Sequence, residues 1–282
     1  MRKLFKVLLI IIVLIGAYIL IYTSVFSYDD SSPKMKVLDT SDTTNSFYIS
    51  ESNYAETMKT VVARYVDSLA ISSSFNNAGH TNAYNMYLLD NPKANVVISH
   101  GFTERKEKYK EAIYYFLKMG YQVFILDHYG HGASSRSTPD SSLVYVEHYE
   151  VFVNDLHEFI RTVVKKHSKG VKTILFGHSM GGGIAAIAVE KYPNVVDGLI
   201  LSSPLMKIGT PKTPPDYIAD PVSRAMVLFG KGATYALGHR AYNPELDQTY
   251  KPSNPTTFST IKGKYWHDYL LSITQHPSNG AS

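Results

Sequence analysis

Cysteine is absent from the 282 residues, which excludes a disulfide framework, a thiolate zinc site, a thiol nucleophile and a lipidated cysteine. Charge is sparse as well: 18% of the chain is Asp, Glu, Lys or Arg, and 28 basic against 24 acidic side chains leave a net charge of +4. That excess is spread along the chain, and no basic run interleaved with aromatics follows the first few positions. Nucleic acid is therefore not an expected partner. No internal repeat at a period of roughly 20–50 residues is visible. What is plentiful is apolar residues, at 44%, so the chain is neither disordered nor collagen-like and is long enough to bury a sizeable core.

The N-terminus carries the one long hydrophobic run. Arg2, Lys3 and Lys6 precede 20 residues without charge, Val7 to Phe26. As a helix that run spans roughly 30 Å, the thickness of a bilayer's hydrocarbon core. Basic residues before it and Asp29 and Asp30 after it place the rest of the chain outside the cytoplasm. The expectation is an N-terminal membrane helix within residues 1–30. Cleavage near Ser27, giving a secreted protein, and a buried core helix are the alternatives. Residues 31–53 turn polar and read as a spacer.

Strand and helix signals then alternate. Asn95–Ser99 is a short β-branched run that stops at His100-Gly101. Residues 105–119 carry an apolar helical stripe at Ala112, Ile113, Phe116 and Leu117, and Gly120 ends it. Residues 121–126 form a second strand, closed by Asp127-His128-Tyr129-Gly130-His131-Gly132. A helix follows over 151–167, a third strand over 172–176, a helix over 184–192 and a fourth strand over 198–201. Short buried strands separated by amphipathic helices predict an α/β fold, a mostly parallel sheet flanked by helices on both faces.

Between the third strand and its helix stands Gly177-His178-Ser179-Met180-Gly181, a G-x-S-x-G. A serine that must project its hydroxyl off the edge of a sheet needs a sharp turn, and glycines two residues to either side remove the side chains that would collide there. The N–H of Met180, at the start of the following helix, points to where an oxyanion would form. No G-x-x-x-x-G-K-[ST] accompanies the turn, which disfavours phosphate binding. His100-Gly101-Phe102 follows the first strand, where a second oxyanion donor belongs, and the Phe102 N–H is the candidate.

The segments His100-Gly101-Phe102-Thr103-Glu104-Arg105 with Lys108-Tyr109, Asp127-His128-Tyr129-Gly130-His131-Gly132 and Gly177-His178-Ser179-Met180-Gly181-Gly182 resemble the α/β-hydrolase superfamily. More narrowly they resemble its lysophospholipase and monoacylglycerol-lipase branch. Ser203-Pro204-Leu205-Met206 and Asn254-Pro255-Thr256-Thr257-Phe258-Ser259 resemble parts of that branch's cap, so the likeness runs over about residues 45–275. It implies a serine ester hydrolase cleaving lysophospholipids or monoacylglycerols through an acyl-Ser179 intermediate, with no metal and no cofactor. The partners it implies are a single-acyl lipid and, through the N-terminal helix, a membrane. The core would occupy 31–204, with an incomplete cap over 205–282.

That fold places its triad acid and then its histidine after the cap. No strand pattern ending in Asp or in His follows residue 204, so neither is identified in this chain. Two βα units, roughly 60 residues, are expected to be missing. Asp197 lies at the wrong end of its strand. Asp216, Asp220, Asp247, Asp268, His239, His267 and His276 lie in cap-like sequence. Asp127 precedes the nucleophile in the chain, His178 reads as shaping the pocket, and His100, His128 and His131 read as loop structure. The alternative function is therefore a truncated, non-catalytic homologue. Leu205, Met206, Ile208, Tyr217, Ile218, Met226, Val227, Leu228 and Phe229 are candidates for an acyl pocket, with core packing the plainer reading.

Overall fold

The computed structural model describes residues 2–26, 48–206, 216–236, 240–243, 250, 259–272 and 279–280. The chain divides into two compact units, one of residues 1–45 with 209–230 and one of residues 46–208 with 231–282.

The second unit is built on a six-stranded sheet. Its strands are β1 (Ile71–Asn77), β2 (His80–Tyr87), β3 (Asn95–Ser99), β4 (Gln122–Leu126), β6 (Thr173–His178) and β7 (Gly198–Ser202), in the spatial order β1-β2-β4-β3-β6-β7. A separate two-residue parallel pair joins β5 (Leu143–Val144) to β8 (Asn279–Gly280). β1, β2 and β4 pair antiparallel, whereas β4, β3, β6 and β7 run parallel. This is a mixed, mostly parallel α/β-hydrolase sheet.

Side chains alternate strictly between its faces. Val97, Phe124, Leu126 and Leu175 pack on one side against α5 (Glu150–Phe159) and α7 (Met180–Lys191), through Phe152, Leu156, Phe159, Ile184 and Ala188. Val96, Ile98, Val123 and Ile125 pack on the other against α2 (Tyr54–Thr57), the π turn at Met58–Val62, α3 (Ala63–Leu69) and α4 (Lys110–Lys118). Every residue of β3 and β4 is buried, as a central parallel strand covered on both faces requires. α6 (Lys165–His167) ends the helical run that α5 begins.

All four expected strands are present within a residue or two. β1 and β2 are additions: β1 reads Ile-Ser-Ser-Ser-Phe-Asn-Asn and lies mostly exposed at the sheet's edge, so no apolar alternation marks it. At the opposite edge β7 leaves Ile200 half-exposed, and among the described residues no strand pairs with its outer side.

The other unit contains α1 (Arg2–Phe26) and α8 (Asp216–Leu228), a helix with Pro221 inside it. Among the described residues no helix is long and apolar enough to cross a membrane. The expected membrane helix is thus unsupported: a helix does form over the predicted run, but no described helix meets the length and apolarity that a span of roughly 30 Å needs.

Candidate active site

Ser179 sits between the end of β6 and the start of α7 with φ 51° and ψ −122°. A non-glycine residue in that region is strained by about 1–3 kcal/mol and persists only where its surroundings hold it. They do so here through four backbone bonds. The Ser179 N–H donates to Ser202 O at 3.0 Å, and its carbonyl accepts from Gly182 at 2.9 Å, Gly183 at 3.2 Å and Leu205 at 2.8 Å. The flanking glycines are sterically required. A Cβ on Gly177 would lie 2.7 Å from the Gly181 carbonyl oxygen, and one on Gly181 would run into the carbonyl oxygens of Ser99 and His100. The turn that carries the serine is therefore pressed directly against the end of β3, in the register Ser99 opposite Gly177.

Beyond β3 the chain makes a turn from Gly101 to Glu104, closed by the Glu104 N–H donating to Gly101 O at 3.2 Å. Thr103, its third residue, has φ 60°, the left-handed position where a type II turn favours glycine. Such a turn pairs only its first carbonyl and last N–H, which leaves the Phe102 N–H unused. The Met180 N–H, in the first turn of α7, has no intrahelical acceptor either. The structure thus brings the Ser179 turn and the Phe102 turn side by side, with both candidate donors free of backbone partners among the described residues.

A cluster of ionisable groups fastens these turns. Glu104 is buried, and its Oε2 accepts from the Gly101 N–H at 2.7 Å and the Tyr109 hydroxyl at 2.6 Å, with His178 Nδ1 at 3.4 Å. The Lys108 ammonium donates to its other oxygen. Burial alone would raise this carboxyl. The His178 hydrogen bond and the Lys108 charge outweigh it and hold Glu104 far below the usual carboxylate range. Asp127, fully buried, accepts from the Lys106 N–H at 2.7 Å, Lys106 Nζ at 2.6 Å and the Ala133 N–H at 2.9 Å. Burial opposes its charge, and Lys106 keeps it ionised. Gly132 is glycine because a Cβ there would run into the Asp127 carboxylate.

The three buried histidines join loops. His100 Nε2 accepts from the His128 N–H at 3.0 Å, so its Nδ1 carries the proton donated to Gly101 O at 2.8 Å. His128 Nε2 lies 2.9 Å from Ser99 Oγ, and His131 Nδ1 donates to Tyr129 O at 3.0 Å. Burial pushes all three imidazoles below their ordinary value, His131 to about 3. They are neutral structural groups.

No imidazole or carboxylate among the described residues hydrogen-bonds the Ser179 hydroxyl. Asp197 is at the far end of the sheet, bonded to Lys172 at 2.8 Å and to the Thr173 N–H at 2.8 Å. Asp268 pairs with Lys264 at 2.6 Å on α9 (Thr260–Leu271). His239, Asp247 and His276 lie outside the described residues, as do the side chains of Asp216 and Asp220. Of the expected acyl-pocket residues, Val227, Leu228 and Phe229 are exposed, and Ile208 is outside the described set. A groove of about 1140 Å³ lies between α2–α3 and α9 and includes Lys59, Tyr265, Trp266 and Tyr269. None of its lining residues belongs to the Ser179 or Phe102 turns.

The roles of Glu104, Lys106 and Asp127 were not visible in the sequence. Their only signal was the density of charge over residues 104–108 directly after a strand-ending glycine.

The sequence model of the serine aminopeptidase S33 hydrolases matches residues 90–257, more than half the chain. The chain belongs to this family. This S33 hydrolase is 37% identical over 115 residues to the monoglyceride lipase of Rattus norvegicus, covering 41% of this chain and 36% of that protein. It is 34% identical over 113 residues to lysophospholipase L2 of Escherichia coli, covering 40% and 33%. The matched stretch therefore spans about a third of the length of these curated relatives. In fold, the S33 hydrolase is similar to a soluble variant of monoglyceride lipase from Saccharomyces cerevisiae solved with a substrate analog. That match has TM-score 0.57 and 22% identity, over 76% of this chain and 65% of that one.

Proposed function

We propose that this chain is a serine hydrolase for lipid esters of the monoacylglycerol and lysophospholipid type, with Ser179 as nucleophile. One observation carries the reading. The serine is held at φ 51°, ψ −122° on a strand-to-helix turn, beside a second turn, Gly101 to Glu104, at the end of β3. In the first half-reaction Ser179 Oγ bonds to the ester carbonyl carbon while its proton passes to a base. The carbonyl oxygen becomes an oxyanion between the Phe102 and Met180 N–H groups, aided by the positive end of α7. The C–O bond then breaks, the alcohol leaves with the proton, and water hydrolyses the acyl-serine by the reverse route. The triad acid and histidine implied by the resemblance have no counterpart among the described residues. That absence favours a second reading, a non-catalytic homologue.

A fluorophosphonate probe separates the two, because it reacts only with an activated serine. The hydrolase reading expects labelling of the wild-type chain, none of Ser179→Ala, and release of fatty acid from monooleoylglycerol or a lysophosphatidylcholine. An unlabelled wild type would make the non-catalytic reading the correct one.

The charge-free run Val7–Phe26 behind three basic residues supports an N-terminal anchor with the hydrolase core outside the cytoplasm, or a secreted protein after cleavage. Carbonate-resistant pelleting with the membrane, lost on deleting residues 1–30, is the expected outcome. A chain that stays in the carbonate supernatant with its N-terminus intact refutes the anchor.

A further inference from the structure

We infer that Glu104 is a positioning residue of the oxyanion site, the carboxylate that holds the Phe102 turn in place against the Ser179 turn. The inference rests on the hydrolase reading and deepens it. Three observations converge.

First, Glu104 closes its own turn twice. Its N–H reaches back to Gly101 O at 3.2 Å, and its Oε2 accepts the Gly101 N–H at 2.7 Å. Both backbone groups of Gly101 are thereby bonded to Glu104, its carbonyl sharing that bond with the His100 Nδ1–H at 2.8 Å, and Phe102 and Thr103 are suspended between the two bonds. Gly101 permits this because a Cβ there would come within 2.9 Å of that same oxygen.

Second, the turn does not rest in a relaxed conformation. Thr103 sits at φ 60°, where a side-chain-bearing residue is disfavoured, so the backbone needs an external hold to stay there. The hold comes from a carboxylate that is itself immobilised by the Tyr109 hydroxyl at 2.6 Å and by the Lys108 ammonium.

Third, the same oxygen faces His178 Nδ1 at 3.4 Å. His178 immediately precedes Ser179, and Gly101 also lies close to its ring, which a Cβ there would meet at 3.2 Å. One carboxylate thus contacts both turns whose N–H groups must converge on a single oxygen. An oxyanion hole requires donors within a few tenths of an ångström of the right place, and a group that ties both turns sets that distance.

The test is the rate of fluorophosphonate labelling of the full chain, resolved into the inactivation rate constant and the probe affinity. Three variants are compared: Glu104→Ala, Glu104→Gln and, as a nearby carboxylate outside these contacts, Glu107→Gln. In Glu104→Ala the rate constant is expected to fall on the order of 100-fold with affinity unchanged, because the lost interaction acts only on the transition state. Glu104→Gln keeps an acceptor for the Gly101 N–H and is expected to recover to within roughly tenfold of wild type. Glu107→Gln should label like wild type. A merely structural role would lower the melting temperature and leave labelling of the folded protein intact, and that result overturns the inference.

Amide hydrogen exchange gives an arm that needs no chemistry. Glu104→Ala should speed exchange in peptides covering 100–104 while β6 and α7 keep their protection. If wild type fails to label, the hydrolase reading falls. The exchange result then decides the positioning role alone: unchanged protection over 100–104 refutes it, selective loss upholds it.

Discussion

Replacing Gly181 by alanine tests whether the contact between the Ser179 turn and β3 is as tight as the structure has it. The added methyl group would run into the carbonyl oxygens of Ser99 and His100. Both belong to backbone, and Ser99 is held in the sheet opposite Gly177, so neither can swing aside as a side-chain tip would. Overpacking of this kind costs about 1–3 kcal/mol, and a backbone neighbour puts the site at the upper end. Alanine returns at most about 1 kcal/mol of helix propensity in the first turn of α7. The net loss is about 2 kcal/mol, equivalent to a fall of roughly 4–8 °C in Tm for a chain of this size. Relief of the clash pushes the Ser99–Phe102 backbone away from Ser179, and a displacement near 1 Å is expected to slow labelling on the order of 100-fold. Urea unfolding and fluorophosphonate labelling measure the two effects. Gly79→Ala is the comparison: nothing lies within 4 Å of its Cβ and φ is +86°, so it costs about 1 kcal/mol of backbone strain with labelling unchanged. A Gly181→Ala chain within about 0.5 kcal/mol of wild type and labelled at the wild-type rate would refute the reasoning.

Asp127→Asn removes the nearer of the two carboxylates on the buried Lys106 ammonium and leaves it only Glu107 at 3.3 Å, so it is expected to cost about 3 kcal/mol in urea unfolding, the lower end for a broken buried pair; adding Lys106→Met should recover a large part of that, and a double variant no more stable than the single would count against the ion pair. His131 supplies a pH dependence. Its folded imidazole titrates at about 3, while the unfolded chain takes up that proton near pH 6.5. Between those values the unfolded state binds more protons, so the stability present above pH 6.5 is lost as pH falls, by up to about 1.4 kcal/mol per unit. His128 is depressed in the same direction. Urea midpoints between pH 7 and 5 should decline, and less steeply in His131→Asn; an equal slope in both would show that His131 is not buried neutral.

The parallel strands and their helices were legible because burial on both faces forces continuous apolar runs such as Val96-Val97-Ile98, and helical stripes such as Ile113, Phe116 and Leu117. β2 was not legible: its buried Asn82 and Asn85 break the apolar pattern. Ser179 was legible because a strained turn imposes glycines at fixed offsets, and steric exclusion leaves a mark in sequence. The N-terminal helix read from length and hydropathy is present as α1, but among the described residues no helix is long and apolar enough to cross a membrane.

The sequence by itself determined the α/β class, the family and the residue that stands on the strand-to-helix turn, since periodicity and glycine spacing are local properties. Only the tertiary structure decided what holds that turn. Glu104 and His178 are 74 positions apart, and so far along the chain no spacing relates them. Lys106 and Asp127 are separated by 21 positions and are joined because β3 and β4 are sheet neighbours. The energy of a buried charge depends on which groups surround it in space, and that depends on which strands lie side by side.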